Sequence, residues 1–271
     1  LDGSGTALRL NEPLPATADV SGFQSAAARV VFLADGLVDN RPELYSAPVD
    51  ASVPAVQING SQTPVVGYAL ASSGAAVAFH SVYCGGLSSR LFGVPADGSA
   101  APIELGNHPP SSRCLSRLSI TPDSTAAVYA LRYGATDEVL RVPLDGSAPP
   151  AQLLVPIGDV SDYRYTLDGQ GLVIRSDTGA ARLFLVPLDA SAPATELFAM
   201  PDGRAGVEAD FALAGTEVFF PADLASHDVL ELHATPLDAS QAPRRLSEDL
   251  ATTPTTVDVT SLAVAPDRSF A

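Results

Sequence analysis

The chain has 271 residues, of which 46% are hydrophobic, so it can bury a sizeable core. It carries 31 acidic residues against 15 basic ones, which gives a formal net charge of −16 at pH 7. This charge disfavours nucleic acid and anionic membrane surfaces as partners, because both need clustered basic side chains. No apolar run approaches the roughly 18 residues of a membrane-spanning helix, so we expect no membrane insertion. All the basic residues are arginine, while alanine and proline abound, a composition typical of a bacterial protein from a GC-rich genome.

A short acidic phrase recurs along the chain and sets its period. The phrase reads LDGSG, VDASV, ADGSA, LDGSA, LDASA and LDASQ. Successive copies lie 48, 47, 48, 44 and 49 residues apart, and a period in the forties is typical of repeat architectures. The acidic residues of the six copies are Asp2, Asp50, Asp97, Asp145, Asp189 and Asp238.

Each repeat is predicted to form four β-strands. The segments are short, rich in β-branched and aromatic residues, and bounded by Gly, Pro, Asp and Ser, and none shows a sustained helical period. In the third repeat they are LSRLSIT (115–121), AAVYALR (126–132), EVLRVPL (138–144) and AQLLV (151–155). Four antiparallel strands in each repeat of this length predict a propeller blade.

The predicted fold class is therefore all-β, a single β-propeller domain of six four-stranded antiparallel blades. An N-terminal strand closes the last blade, so the chain begins and ends inside the same blade. If further repeats precede the first residue, the ring is larger. The complete blades are predicted at about 19–59, 64–106, 115–155, 160–199 and 206–247, and the split blade combines 259–271 with 1–11.

The turns between strands carry a resemblance to a known family. TPDST and APDRS each lead into an apolar strand, and LFLVPLD leads into a short last strand. These motifs resemble the WD-like repeats of TolB-type bacterial β-propellers, over essentially the whole chain. The turns SSGA (72–75) and LAGT (213–216) lack the Asp of that pattern, so we expect them to rely on Gly instead.

The recurring phrase is predicted to lie between the third and fourth strands of each blade. There its Asp side chain can accept a hydrogen bond from a backbone amide two residues further on, which makes a polar turn. The alternative interpretation is a ring of carboxylates on one face that attracts cations or a basic partner.

A second group of acidic residues is predicted at the opposite ends of the blades, in the loops after the second strands and between blades. If the protein has a binding face, we expect it here, because propeller loops of this kind commonly vary and bind ligands. The candidate residues are Asp35, Asp39, Asp137, Glu138, Asp177, Asp223 and Asp228.

The cysteines and histidines give few further candidates. In a propeller, the loops that hold Cys84 and Cys114 project on the same face of adjacent blades, so we predict a disulfide and an oxidising compartment. Some TolB-like relatives are lyases that hold a metal with histidines, and His80 and His108 are weak candidates for such a site. No spacing of metal ligands supports it, and we predict no cofactor and no catalytic residue.

Three functions remain open from the sequence. The first is a non-catalytic β-propeller that binds a protein or a ligand in the periplasm, at the cell surface or outside a bacterium. The second is a propeller attached to, or gating, a prolyl-oligopeptidase-like enzyme encoded outside these residues. The third is a metal-dependent lyase- or lactonase-like enzyme. The expected partner is another protein or further domains of the same protein, and a divalent cation is a further candidate ligand.

Overall fold

The structure is a computed structural model, and two compact units make up the chain. The first contains residues 1–134 and 140–151, and the second contains 135–139 and 152–271. The residues that the structure describes are 7–11, 14, 18–35, 41–61, 64–81, 89–108, 113–134, 136–154, 158–177, 180–201, 211–224, 229–247, 259 and 262.

The regular secondary structure of these residues is entirely β, in five four-stranded antiparallel sheets whose strand order follows the chain. Sheet one contains β1 (Val20–Ala26), β2 (Arg29–Ala34), β3 (Glu43–Pro48) and β4 (Val56–Gln57). Sheet two contains β5 (Val65–Leu70), β6 (Ala76–Ser81), β7 (Ser89–Pro95) and β8 (Ile103–His108). Sheet three contains β9 (Arg113–Ile120), β10 (Ala126–Tyr133), β11 (Thr136–Pro143) and β12 (Ala151–Leu154).

The last two sheets repeat this arrangement. Sheet four contains β13 (Val160–Tyr165), β14 (Gly171–Ser176), β15 (Arg182–Pro187) and β16 (Thr195–Ala199). Sheet five contains β17 (Ala212–Ala214), β18 (Glu217–Ala222), β19 (Glu231–Pro236) and β20 (Arg244–Arg245). Each sheet has the strand order predicted for a propeller blade and is called blade one to blade five below.

The core of the first unit lies between neighbouring blades. Val77 and Phe79 of β6 pack on one side against Val31 of blade one, and Ala78 packs on the other side in a cluster with Tyr129 of blade three. A strand whose two faces are both covered can be apolar at successive positions. This explains why the second segment of each repeat is a nearly continuous apolar run.

The second unit has a core of the same kind between blades four and five. Val173 and Leu183 of blade four share a buried cluster with Val218 and Phe220 of blade five. The rings of Phe198 and Phe220 lie 4.7 Å apart between centroids. Each blade therefore depends on its neighbour for burial, as expected of a repeat protein.

The second and third strands of several blades share a ring pair at the same cross-strand position. In blade five a histidine takes the place of the second aromatic ring, so His233 belongs to the packing between these strands. The pairs and their centroid separations are Phe32–Tyr45 (5.6 Å), Phe79–Phe92 (5.2 Å) and Phe220–His233 (6.2 Å).

An ion pair joins the third and fourth strands at one equivalent position in three blades. In blades two and four the third strand supplies the arginine, in the pairs Arg90–Glu104 and Arg182–Glu196. In blade five the charges are exchanged, because Glu231 lies on the third strand and Arg245, 2.7 Å away, lies on the fourth.

The predicted split blade falls largely outside the described residues. Residues 7–11 are described and form no strand, although Leu10 packs beside the buried cluster of Phe32 in blade one. Leu262 packs beside the cluster of Phe219 in blade five. Since 263–271 are not described, closure by the N-terminal strand stays a prediction, as do the single domain and the predicted blade limits. No helix in the described ranges is long and apolar enough to cross a membrane.

Candidate functional site

The recurring acidic phrase forms the predicted turn in all five copies that the structure describes. In each copy the Asp Oδ1 accepts a hydrogen bond from the backbone amide of the serine two residues further on, at 2.9–3.0 Å. The pairs are Asp50–Ser52, Asp97–Ser99, Asp145–Ser147, Asp189–Ser191 and Asp238–Ser240. Asp2 lies outside the described residues.

The residue that follows each of these Asp residues adopts a left-handed backbone conformation. Its φ is positive in all five copies, whether the residue is glycine or alanine. Glycine adopts this conformation at little steric cost, whereas the alanines of the D-A-S copies adopt it against a steric penalty from their Cβ atoms. The φ angles are 53° for Ala51, 70° for Gly98, 67° for Gly146, 55° for Ala190 and 54° for Ala239.

Two of the acidic residues predicted as a binding face accept hydrogen bonds from backbone amides of the protein. Asp137 is fully buried, and its Oδ2 accepts a hydrogen bond from the backbone amide of Val160 at 2.9 Å. Asp35 Oδ1 accepts a hydrogen bond from the amide of Asp19 at 2.5 Å. Asp35 therefore links the residue before β1 to the end of β2, and Asp137 links the start of β13 to the start of β11.

The remaining members of that group differ in exposure. Asp177 pairs with Arg175 at 2.9 Å, Asp223 is fully buried, and Glu138 is half-buried. Asp39 and Asp228 lie outside the described residues, so the binding face as a whole stays a prediction. Within the described ranges, no three His, Cys, Asp or Glu side chains are grouped so that they could hold a metal ion.

His80 is buried at the end of β6. Its ring covers Gly67 so closely that a Cβ at residue 67 would lie 2.7 Å from Nε2. Burial lowers the pKa of His80 to about 4, so the ring is neutral at pH 7. No described residue bonds Nδ1, which is buried.

His108 is the last residue of β8, whereas the sequence places it in a loop between blades. Its Nε2 lies 3.0 Å from the Tyr129 hydroxyl, and the absence of a side chain at Gly106 leaves room for the ring. The strand therefore extends to His108 because the imidazole is packed and hydrogen-bonded. Cys114 is half-buried on β9, and the described part of the chain has no free cysteine. Cys84 lies outside it, so the disulfide between them stays a prediction.

Blade five contains a buried polar cluster that no sequence motif indicates. Glu231 is fully buried beside His233, whose Nε2 lies 3.9 Å from Glu231 Oε2. Burial lowers the pKa of His233, and the Glu231 carboxylate acts in the opposite direction. The ion pair to Arg245 compensates part of the cost of burying this carboxylate.

The second unit has a pocket of about 910 Å³ at the ends of blades four and five that carry the acidic phrase. Its walls include the first hairpin turn of each blade and the Asp238 turn. We call it the turn pocket, and its lining includes Leu167, Asp168, Leu185, Pro187, Leu237 and Asp238. Its volume is in the range of small-molecule and peptide sites. It lies at the opposite ends of these blades from the predicted acidic loops.

A gap between two hairpin turns creates the turn pocket. In the first unit, Ser72 of blade two reaches Ser124 of blade three, with 3.3 Å between their hydroxyl oxygens. No hydrogen bond between described residues links the corresponding turns of blades four and five. In blade five this turn is LAGT, and a Cβ built on Gly215 would meet no atom within 4 Å. The departure of LAGT from the turn pattern was the only sequence signal of this gap.

Comparisons with known proteins support the fold and leave the family open. No protein-family model and no curated protein match the chain. A structure from a study of two prolyl endopeptidases is similar with a TM-score of 0.58 and 12% identity, covering 86% of this chain and 36% of that chain. The chain thus spans little more than a third of that protein. An oligogalacturonate lyase in complex with manganese gives a TM-score of 0.57 at 13% identity, covering 83% of this chain and 67% of the lyase.

The repeat, the five blades and these similarities agree. The chain has the β-propeller fold. A putative TolB from Agrobacterium tumefaciens is also similar, with 18% identity, a TM-score of 0.47, and coverage of 79% of this chain and 76% of that chain. At these identities the similarities concern the fold, so the function of this propeller has to be argued from its own residues.

Proposed function

We propose that this β-propeller is a non-catalytic binding module of a bacterial envelope or extracellular protein. The observation that carries the proposal is the turn pocket, which combines an apolar lining with two carboxylates from separate turns. Binding sites commonly pair an apolar surface with a few fixed polar groups in this way. The other titratable groups described above contribute to packing and to turns, which is consistent with a structural role for them.

The binding proposal is tested with one exposed side chain of the pocket. Leu167 is 38% exposed, so Leu167→Ser should leave the fold intact. Leu246 is 41% exposed outside the pocket, and Leu246→Ser is the matched control. We expect crosslinking of the purified chain to a component of a bacterial envelope fraction to be lost in Leu167→Ser and kept in Leu246→Ser. Equal crosslinking by both variants would remove the pocket from the proposal.

The envelope location rests on the predicted pair of Cys84 and Cys114. The described part of the chain has no free cysteine, which supports the proposal. Alkylation without a reductant should leave the mass of the protein unchanged, and alkylation after reduction should add two groups. Two added groups without reduction would count against an oxidising compartment.

A second candidate function is a propeller attached to, or gating, a peptidase domain outside these residues. The similarity to a prolyl endopeptidase, of which this chain covers 36%, favours it. The gene sequence on either side of the chain tests it. A catalytic hydrolase domain there, together with cleavage of a proline-containing chromogenic peptide by the full-length product, would establish this function over the first.

The third candidate function is a metal-dependent lyase, which the similarity to the manganese-bound oligogalacturonate lyase favours. The purified chain can be incubated with oligogalacturonate and Mn²⁺. Formation of unsaturated products above a heat-denatured control would overturn the non-catalytic proposal.

A further inference from the structure

We propose that the turn pocket binds an extended peptide segment in which a basic side chain is flanked by apolar ones. This inference rests on the proposed function, because it names the chemical class of ligand for the same pocket. Three features of the pocket favour such a ligand. They are the apolar lining, the carboxylate oxygens of Asp168 and Asp238, and the absence of a compensating cation among the described lining residues.

The apolar part of the site is formed by three leucines. Leu185 and Leu237 are half-buried and pack at the edge of the core between blades four and five. Leu167 projects from a hairpin turn, where blade three has Pro122 and blade two has Ser72. An apolar side chain that covers these leucines would gain burial on both of its sides.

Asp168 has an oxygen available for a ligand. In blade three, Thr125 Oγ1 donates to Oδ2 of the equivalent Asp123 at 2.9 Å. In blade four the corresponding residue is Gln170, whose backbone amide donates to Oδ1 of Asp168 at 3.0 Å and whose side-chain Nε2 donates to the Asp168 carbonyl oxygen. No described residue bonds Oδ2 of Asp168. The replacement of threonine by glutamine therefore frees one carboxylate oxygen at the pocket.

Asp238, in the recurring turn of blade five, supplies a second carboxylate. Its Oδ1 accepts the amide of Ser240 at 3.0 Å, and its Oδ2 accepts no hydrogen bond from the described residues. Hydrogen bonds from Thr166 and Ser240 lower the pKa of Asp168 and of Asp238, respectively, so both carboxylates are ionised at pH 7. Since the turns already hold both side chains, binding orders few additional groups.

The charge of the site favours a basic ligand. The described residues that line the pocket include no arginine and no histidine, so its negative charge has no cation beside it there. The whole chain carries a net charge of −16, which attracts a basic segment and repels an acidic one. A peptide with an arginine between two leucines matches both the leucines of the lining and the two free carboxylate oxygens.

The test measures the binding of three labelled peptides to the full chain by fluorescence anisotropy. The peptides contain leucine-arginine-leucine, leucine-glutamate-leucine and serine-arginine-serine cores between capped glycines. We expect the first to bind at least tenfold more tightly than the other two, and its affinity to fall when salt is raised from 50 to 300 mM.

Matched variants identify the site. Asp168→Asn and Asp238→Asn retain a side-chain oxygen that can accept the turn hydrogen bonds, and each should weaken binding by about two- to fivefold, as expected for a partly exposed ion pair. Asp123→Asn and Asp145→Asn alter the equivalent turns of blade three and should leave binding unchanged. If either pocket variant unfolds, Leu167→Ser replaces it, with Leu246→Ser as its control.

Each outcome decides the inference. The inference is overturned if the leucine-arginine-leucine peptide shows no saturable binding, or if it binds no more tightly than the leucine-glutamate-leucine peptide. It is also overturned if the pocket variants and the control variants change binding equally. If the peptide fails while crosslinking to an envelope component still depends on Leu167, the ligand class is wrong and the proposed function stands. If neither peptide binding nor crosslinking changes in the pocket variants, the proposed function fails as well.

Discussion

The left-handed alanines in the recurring turn make a direct prediction about stability. Ala51, Ala190 and Ala239 have φ angles of 53°, 55° and 54°, at the position where Gly98 and Gly146 serve in blades two and three. We expect the triple variant Ala51→Gly, Ala190→Gly and Ala239→Gly to be more stable than the natural chain. The three turns belong to different blades, so their effects should add.

The magnitude follows from two opposing contributions. A left-handed conformation costs an L-residue roughly 1–2 kcal/mol. Glycine loses more backbone entropy on folding than alanine, which costs about 0.5–1 kcal/mol. The net gain is about 0–1.5 kcal/mol for each turn, with a midpoint of about 0.75 kcal/mol, or about 2 kcal/mol for the triple variant. At about 2–4 °C per kcal/mol, a rise in Tm of several degrees is expected.

The assay is thermal and urea unfolding followed by circular dichroism. Gly146→Ala is the matched control, because Gly146 has a φ of 67° and an added Cβ would lie 3.2 Å from Ile103 Cδ1. This control should lower stability by at least the amount that one turn gains. If the triple variant unfolds at a lower temperature than the natural chain and Gly146→Ala has no effect, left-handed alanines carry no stability cost in these turns.

Three further predictions concern buried polar groups. Because the pKa of His80 is lowered from 6.5 to about 4, the natural chain should lose about 3 kcal/mol as pH falls from 6.5 to 4, and His80→Gln should lack this loss in urea titrations. Gly67→Ala should lower the free energy of unfolding by about 1–3 kcal/mol, since its Cβ would meet the His80 ring, and an unchanged urea midpoint would show that the ring moves freely. Asp137→Ala should cost about 1–3 kcal/mol by leaving a buried amide unpaired, whereas Asp137→Asn should cost less, and equal losses would argue against this hydrogen bond.

The blades and the turns of the recurring acidic phrase could be predicted because the residues that determine them lie close together in sequence. The hydrogen bond from Ser147 to Asp145 spans two residues, and the left-handed residue lies between them. The repeated period then extends each local prediction to the whole chain, which explains why the strands of the third repeat are found where the sequence predicts them.

The buried polar groups and the turn pocket could not be predicted, because they depend on contacts between distant segments. The sequence predicts Asp137 as a loop residue, and only the folded structure shows that the backbone amide of Val160 donates to it. The turn pocket requires two turns to stay apart, and the sequence shows only that LAGT departs from the turn pattern. Likewise, the acidic phrase could be interpreted as a turn from the sequence. Which of its Asp residues borders a cavity could not be predicted.

The exchanged ion pair of blade five has a consequence for how a chain of similar blades assembles. If β20 paired with the third strand of blade two or blade four, Arg245 would lie against Arg90 or Arg182, whereas the equivalent residue of blade one is Glu43. Repeated sequences are prone to such misassembly, and a like-charge contact is a penalty against it. We therefore expect the pair of Glu231 and Arg245 to disfavour pairing of β20 with the third strands of blades two and four, and not with that of blade one.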